Sequence, residues 1–236
     1  MNSPYGLSTE CGNCHLRSDN FFCALSQESV KAFNQIKQAV IFPEGAVIFV
    51  EGQAPRGLFM LCQGQAKLST NSRDGKTFIL RIAKPGEVLG LHAIVTGKPY
   101  ELTVETMQPS RLNFVNREDF LRFLQGHNDA SLHAAQQISR DCQDAYDVVR
   151  SIGLSNSVSG RVAKFLLASA TDGRVTNGVI STRLVLTHED IAQLTGTCRE
   201  TITRILAAFR KKHIVELKDS TLTIHNKPAL ERLVAA

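Results

Sequence analysis

Arg199, Glu200, Thr203 and Arg204 are residue types that read base edges in duplex DNA, and they crowd into six consecutive positions. An arginine guanidinium matches the paired acceptors of guanine, a glutamate accepts from the cytosine amino group, and a threonine methyl touches that of thymine. On a helix at about 100° per residue these four share one arc, while Ile202, Ile205, Leu206 and Phe209 share the opposite one. The polar face is then free for a groove and the apolar face seals a core. Arg210-Lys-Lys212 follows where backbone phosphates would lie, and Thr187, Thr197 and Thr201 complete the candidates for DNA contact. The alternative is a solvated face with Glu200 as no more than a helix cap. A second chemical group is made of thiols: Cys11-x2-Cys14, Cys23 and Cys62. Thiolates ligate soft metals or change redox state.

A pair of short helices must position the polar set. Thr187-His-Glu-Asp190 has the form of a capping box, so a helix starts there. Ile191 and Leu194 supply its apolar face, Ala192 permits close helix contact, and Gly196 stands where a sharp turn needs positive φ. Thr197-Cys-Arg-Glu200 reads as a second capping box ten residues later. Two capped helices joined around a glycine form a helix-turn-helix. Beyond it, Ile214–Leu217 and Thr221–Ile224 flank Lys218-Asp-Ser220 as a hairpin, the wing. Upstream, a helix over about Ser159–Ala170 leads to a hairpin at Thr176-Asn177-Gly178 and on into Leu184-Val-Leu186.

From Val40 to Phe114 the pattern is of short β-rich runs: 47–50, 58–61, 66–68, 78–80, 102–104 and 111–114. Glycine-bearing turns separate them, Asp74-Gly75 reading as a two-residue hairpin turn with positive φ at both positions. Many short strands argue for a small antiparallel barrel or sandwich, with a Ser26-capped helix to Ile36 as its lid. A long helix follows over about Asp129–Asn156. Ala135, Ile138, Cys142, Ala145, Val149 and Ile152 recur along it at spacings of three and four, a heptad seam that suits dimerisation. The alternative is a helix lying on its own barrel. The fold class expected is α+β, in four segments: 1–25 with the thiols, 26–126 the β-barrel, 127–156 the dimer helix, and 157–236 the winged helix-turn-helix.

Charge agrees with a nucleic-acid partner. Residues 1–156 balance 15 basic against 15 acidic side chains, whereas 157–236 hold 12 against 7, so the whole net charge of +5 lies in the last third. Lys and Arg clustered in this way neutralise phosphates and release counterions. The first residues lack the pattern of a secretory signal and no apolar run is long enough for a membrane span, so a soluble intracellular protein is expected. No enzyme is expected either. The histidines are scattered, and neither a phosphate loop nor a nucleophile elbow is present.

Cys198-Arg-Glu-Thr-Ile-Thr-Arg204 closely resembles the recognition helix of the Crp/Fnr superfamily of bacterial transcription regulators. The resemblance extends over nearly the whole chain, through the glycine-punctuated barrel, Gly86-Glu-Val-Leu-Gly90, the long helix and the wing. It implies a cyclic-nucleotide-binding-like β-roll, a homodimer contacting RNA polymerase, and base reading by Arg199, Glu200 and Arg204 at palindromic TGTGA-like half-sites. Thr203 departs from the Gly or Ser of the two best-known branches. The resemblance also sets an effector pocket at Gly86, Glu87, Gly90 and Glu101. There, Leu91 and Glu101 stand where cyclic-nucleotide binders carry a ribose-holding Glu and a phosphate-pairing Arg. A carboxylate repels a cyclic phosphate, so cyclic AMP is not expected.

Cys11, Cys14 and Cys23 resemble the N-terminal thiol cluster of the iron-sulfur oxygen sensors in that family. Here the second gap is longer, and Leu112 stands in place of their late-strand cysteine. Cys62 would have to supply the fourth thiolate of an iron-sulfur cluster or zinc site, or His15 substitute, with reduced thiols or a reversible disulfide as the alternative. Oxygen, redox state or nitrogen oxide is the expected signal. A small organic effector or haem in the barrel is the rival within DNA regulation. A thiol oxidoreductase built on Cys11-x2-Cys14 is the rival outside it, and that motif normally accompanies a βαβ fold that this chain lacks.

Overall fold

The structure, a computed structural model, describes residues 11, 14, 24–154, 157–171 and 173–235. In chain order the first part holds α1 (Gln27–Ile36), β1 (Lys37–Phe42), β2 (Val47–Phe49), β3 (Gly57–Gln63), β4 (Ala66–Asn71), β5 (Thr77–Ala83) and β6 (Val88–Leu89). It continues through α2 (Leu91–Thr96), β7 (Thr103–Thr106), β8 (Ser110–Asn116), α3 (Arg117–Gly126) and α4 (Asn128–Leu154). The second part holds α5 (Val158–Ser169), β9 (Arg174–Thr176), β10 (Val179–Arg183), α6 (His188–Thr195), α7 (Arg199–Lys211), β11 (Val215–Lys218), β12 (Thr221–Ile224) and α8 (Lys227–Ala235). By contacts the chain divides into two compact units, 1–144 and 145–236.

In the first unit two four-stranded antiparallel sheets, ordered β1-β8-β3-β6 and β2-β7-β4-β5, make the β-roll. All six strands read from the sequence are present, and β1 and β6 join them. Alternation sends Leu61, Leu68, Val104 and Leu112 into the roll and Leu58 and Met60 to its helix-covered outer face, all of them buried. Phe49 stacks on Tyr100 with ring centroids 3.9 Å apart, filling one end of the roll. Gly90 is needed there. Its φ is +82° and a Cβ on it would lie 2.7 Å from the Tyr100 ring, so both conformation and space demand glycine.

The β4–β5 turn differs from expectation. Of its two central residues only Gly75 has positive φ. Ser72 and Lys76 close the loop, which therefore spans three residues, 73–75, with Gly75 in the left-handed position of a bulged hairpin.

Ser26 caps α1 as expected by accepting from the Ser29 amide, and Val30 and Phe33 pack on the roll. Asp129 in the first turn of α4 ties the two helices, accepting from the Ser26 amide at 2.9 Å and the Ser29 hydroxyl at 2.6 Å. Desolvation pushes the carboxyl up, but these bonds outweigh it and bring its pKa from 3.8 down to about 2. A depressed carboxyl stabilises the fold above its unfolded value and loses that contribution as pH falls through its folded value. Between about pH 4 and pH 2 the wild type should therefore lose stability more steeply than Asp129→Asn, which starts lower at pH 7; urea midpoints at stepped pH measure both.

Of the seam read in the sequence, Ala135, Cys142, Val149 and Ile152 are exposed on α4. Ile138 packs against the core under the roll and Ala145 is half-buried. An exposed row that shares three of the seam residues runs Leu132, Ala135, Ser139, Cys142, Tyr146 and Val149, also at spacings of three and four. Ile138 departs because its own roll offers it apolar partners, a preference that periodicity alone does not register. Among the described residues no helix is long and apolar enough to cross a membrane.

Candidate nucleic-acid interface

In the second unit α5, α6 and α7 pack over the sheet β11-β12-β10-β9. Ile191 and Ala192 of α6 meet Ile202, Ile205, Leu206 and Phe209 of α7 in one core, which also takes Val162 and Leu166 from α5. Each large buried side chain contributes about 1.5–3 kcal/mol to holding α7 in place. Arg161 of α5 donates from Nε to the Thr195 carbonyl at 2.8 Å, tying the end of α6 to the bundle.

The first cap forms as read. Thr187 accepts from the Asp190 amide at 3.1 Å while Asp190 accepts from the Thr187 amide at 2.9 Å. Gly196 ends α6 at φ +64° and hands the chain to α7. The second cap does not form as read. Cys198 occupies the N-cap with no side-chain hydrogen bond to the helix amides, so Thr197 lies one residue outside. The Cys198 thiol contacts the Thr201 hydroxyl at 3.2 Å instead. Sulfur is too weak an acceptor to hold a first-turn amide well.

Arg199, Glu200, Thr203 and Arg204 are all exposed on the face of α7 opposite its buried side. Thr187 is exposed, Thr197 and Thr201 half-buried, and Arg210, Lys211 and Lys212 exposed beyond them. Glu200 is held below the usual carboxylate range, first by its own backbone amide and then by the Cys198 thiol, so it stays ionised as an acceptor. The Thr203 hydroxyl is committed within the protein, donating to the Arg199 carbonyl at 3.0 Å and meeting His188 Nδ1 at 2.9 Å. His188 is a site residue that the sequence did not single out; its position directly after the Thr187 cap was the available signal.

Both hairpins of this unit carry two-residue turns with positive φ throughout. Asn177-Gly178 sits at 49° and 78°, and Asp219-Ser220 at the wing tip at 48° and 59°. Asn-Gly suits that geometry, whereas the wing reaches it without glycine.

In the roll, the motif from Gly86 to Gly90 is built around ions. Arg81 of β5 pairs with Glu87 through one guanidinium nitrogen and with Asp141 of α4 at 3.0 Å through the other, and Gln137 also donates to Asp141 at 3.3 Å. Burial raises the Asp141 pKa, Arg81 opposing it. Leu91 is buried as the first residue of α2, and Glu101 pairs with His92 near the surface. Glu87 and Glu101 thus each engage a partner from their own roll. The pairs at Arg81 and Glu101 were not legible because their partners are set by the folded roll.

The thiols are brought together only in part. Asn113 of β8, itself buried, donates to the Cys62 thiol of β3 at 3.1 Å and lies 3.9 Å from that of Cys11, which also receives the Lys37 ammonium at 3.1 Å. Burial, then the neighbouring Cys11, pushes the Cys62 thiol up to about 11. Cys14 is half-buried; Cys23 and His15 lie outside the described residues. Among the described residues no group of three or more His, Cys, Asp or Glu side chains is arranged to hold a metal ion. Among the described residues these thiols face an amide and an ammonium. A raised pKa leaves roughly one thiolate in a thousand at pH 8. Iodoacetamide at pH 8 should accordingly alkylate exposed Cys198 at least about a hundredfold faster than Cys62, as peptide mass spectrometry would quantify.

A β-roll joined through a long helix to a winged helix-turn-helix, with arginines on the open face of its second helix, defines a DNA-binding transcription regulator with a sensor-type domain. Residues 39–127 match the cyclic nucleotide-binding domain family and residues 160–233 the Crp-like helix-turn-helix domain. The chain belongs to the Crp/Fnr family of regulators. It is 26% identical over 212 residues to the CRP-like cAMP-activated global transcriptional regulator of Mycobacterium tuberculosis, covering 89% of this chain and 94% of that one. It is 23% identical to the cyclic AMP receptor protein of Thermus thermophilus, covering 92% and 98%. The structure of FixK2 from Bradyrhizobium japonicum shares the fold at TM-score 0.73 and 20% identity, over 85% of this chain and 98% of that one.

Proposed function

We propose that the chain works in the cytoplasm as a homodimer that reads palindromic DNA with TGTGA-like half-sites and contacts RNA polymerase. In this reading it carries no catalytic activity. Arg199, Glu200, Thr203 and Arg204 discriminate bases, while Thr187, Thr197 and Thr201 meet the backbone. The observation that carries this reading is the outward polar face of α7 over a fully buried opposite face. The exposed stripe on α4 supports the dimer, since Leu132, Ala135, Cys142 and Val149 stand outward at heptad spacings. Function is divided as 1–25 thiol segment, 26–126 sensor roll, 127–156 dimer helix and 157–236 DNA reader.

The signal in this reading is oxygen, redox state or a nitrogen oxide, received at the thiols around Asn113. An iron-sulfur cluster or zinc would need Cys23 beside Cys11, Cys14 and Cys62 and a rearrangement of the Lys37 and Asn113 contacts. The Arg81 pairs to Glu87 and Asp141 favour a roll that does not take cyclic AMP, because a cyclic phosphate would have to displace a carboxylate from Arg81 and approach Glu101. The signal shifts the two α4 helices and so the spacing of the two recognition helices, which must match about one DNA turn. A mobility-shift titration of a TGTGA palindrome against random duplex tests the DNA reading, and equal affinity would refute it. Iron, sulfide and zinc analysis of anaerobically purified protein, with DNA binding before and after peroxide, tests the signal. Binding indifferent to peroxide would remove it.

A further inference from the structure

Beside α7 the DNA-binding unit holds a cavity of about 570 Å³, walled by α5, α7 and α8. It is a groove open to solvent on one side, with a volume in the range of small-ligand sites. Its inner surface is apolar, formed by Ile205, Phe209, Ile214 and Leu233, and it stays open because Ala208 and Ala229 fill so little of it. Its charged groups are Arg204, Lys212 and Arg232, and no Asp or Glu lines it. Among the described residues, none of these three cations is ion-paired. The three cations are exposed at the mouth of the cavity, where they attract an anion and repel a cation, and a bare inorganic anion would leave the apolar surface uncovered.

We propose that this cavity binds an amphipathic anion, a medium-chain carboxylate, with its tail on Ile205, Phe209 and Leu233 and its head group among Arg204, Lys212 and Arg232. Arg204 also belongs to the base-reading set, so a carboxylate that engages it withdraws it from DNA and weakens specific binding. This coupling rests on the reading of Arg204 given above; the cavity itself does not.

Sodium decanoate, below its micellar concentration, is titrated calorimetrically into the full-length protein, with decylamine as the cationic control. Saturable binding of one decanoate per protomer is expected, and none of decylamine. Ala208→Trp and Ala229→Phe, two independent ways of filling the space, should each weaken decanoate at least tenfold while leaving palindrome affinity in its absence at the wild-type level. Saturating decanoate should lower palindrome affinity about tenfold in the wild type and leave it unchanged in Ala208→Trp. Absence of saturable binding, or equal binding of decylamine, overturns the site. Decanoate binding with unchanged palindrome affinity overturns the coupling. Arg204→Ala that keeps full palindrome selectivity without decanoate would instead defeat the base-reading role of Arg204, which separates that failure from failure of the cavity.

Discussion

Arg199→Ala should cost the dimer most of its preference for a palindrome over random duplex. A bidentate arginine–guanine pair is worth about 1–3 kcal/mol of discrimination, and a two-fold symmetric complex contains it twice. The expected loss is therefore about 2–6 kcal/mol, or roughly 30-fold to 10⁴-fold in affinity for the palindrome, with affinity for random duplex falling far less. Arg199→Lys should recover little, because an ammonium is a point charge without the planar fork. Thermal stability should barely move, since Arg199 is exposed at the first turn of α7 and makes no ion pair among the described residues. Fluorescence anisotropy with both duplexes, beside a melting curve, separates these quantities. An Arg199→Ala protein with wild-type selectivity would show that α7 is not the reading element.

Val149→Asp should split the dimer while leaving each protomer folded. Val149 is 67% exposed within the protomer and sits in line with Cys142 and Tyr146 on the outward stripe of α4. In a parallel pair of such helices the two carboxylates would face each other across the symmetry axis in an apolar seam. Burying unpaired charge costs several kcal/mol, so the dimer dissociation constant should rise at least about a hundredfold by sedimentation equilibrium. Palindrome binding should fall with it, because a monomer loses the second half-site that linkage supplies. An unchanged circular dichroism spectrum and melting point would establish that the fold is intact. A Val149→Asp protein that remains dimeric would mean that a different face pairs.

Where local chemistry dictates structure, the residues could be read directly. Thr187 and Asp190, three residues apart, need only each other and the first-turn amides, and the capping box forms; Asn177-Gly178 demands positive φ twice, and the tight turn forms. Misreadings arose where one local signal competed with another. Thr197 was the stronger capping residue by type, yet α7 begins after Cys198, because the left-handed Gly196 fixes where the chain turns. Asp74-Gly75 looked like Asn177-Gly178, yet Arg73 joins its loop and only Gly75 takes the left-handed conformation. α3 and α8 are absent from the sequence pattern of apolar residues although each carries a start signal, Asn116 before Glu118 and Asp119 in one, Pro228 in the first turn of the other. Contacts set by tertiary structure left no trace in the sequence. Arg81 and Asp141 are 60 residues apart, Cys11 and Asn113 102 apart, and neither pair follows from a period or a spacing.

With its hydroxyl engaged by the Arg199 carbonyl and His188, Thr203 has only a methyl left to present to a base pair. A methyl carries no donor or acceptor direction, so in the base-reading role proposed for Thr203 it would distinguish the substituent at carbon 5 of a pyrimidine. A duplex carrying uracil for thymine at that step would present a gap to it, and one carrying 5-methylcytosine would present a contact. The regulator would therefore be sensitive there to the epigenetic state of its operator as well as to its letters.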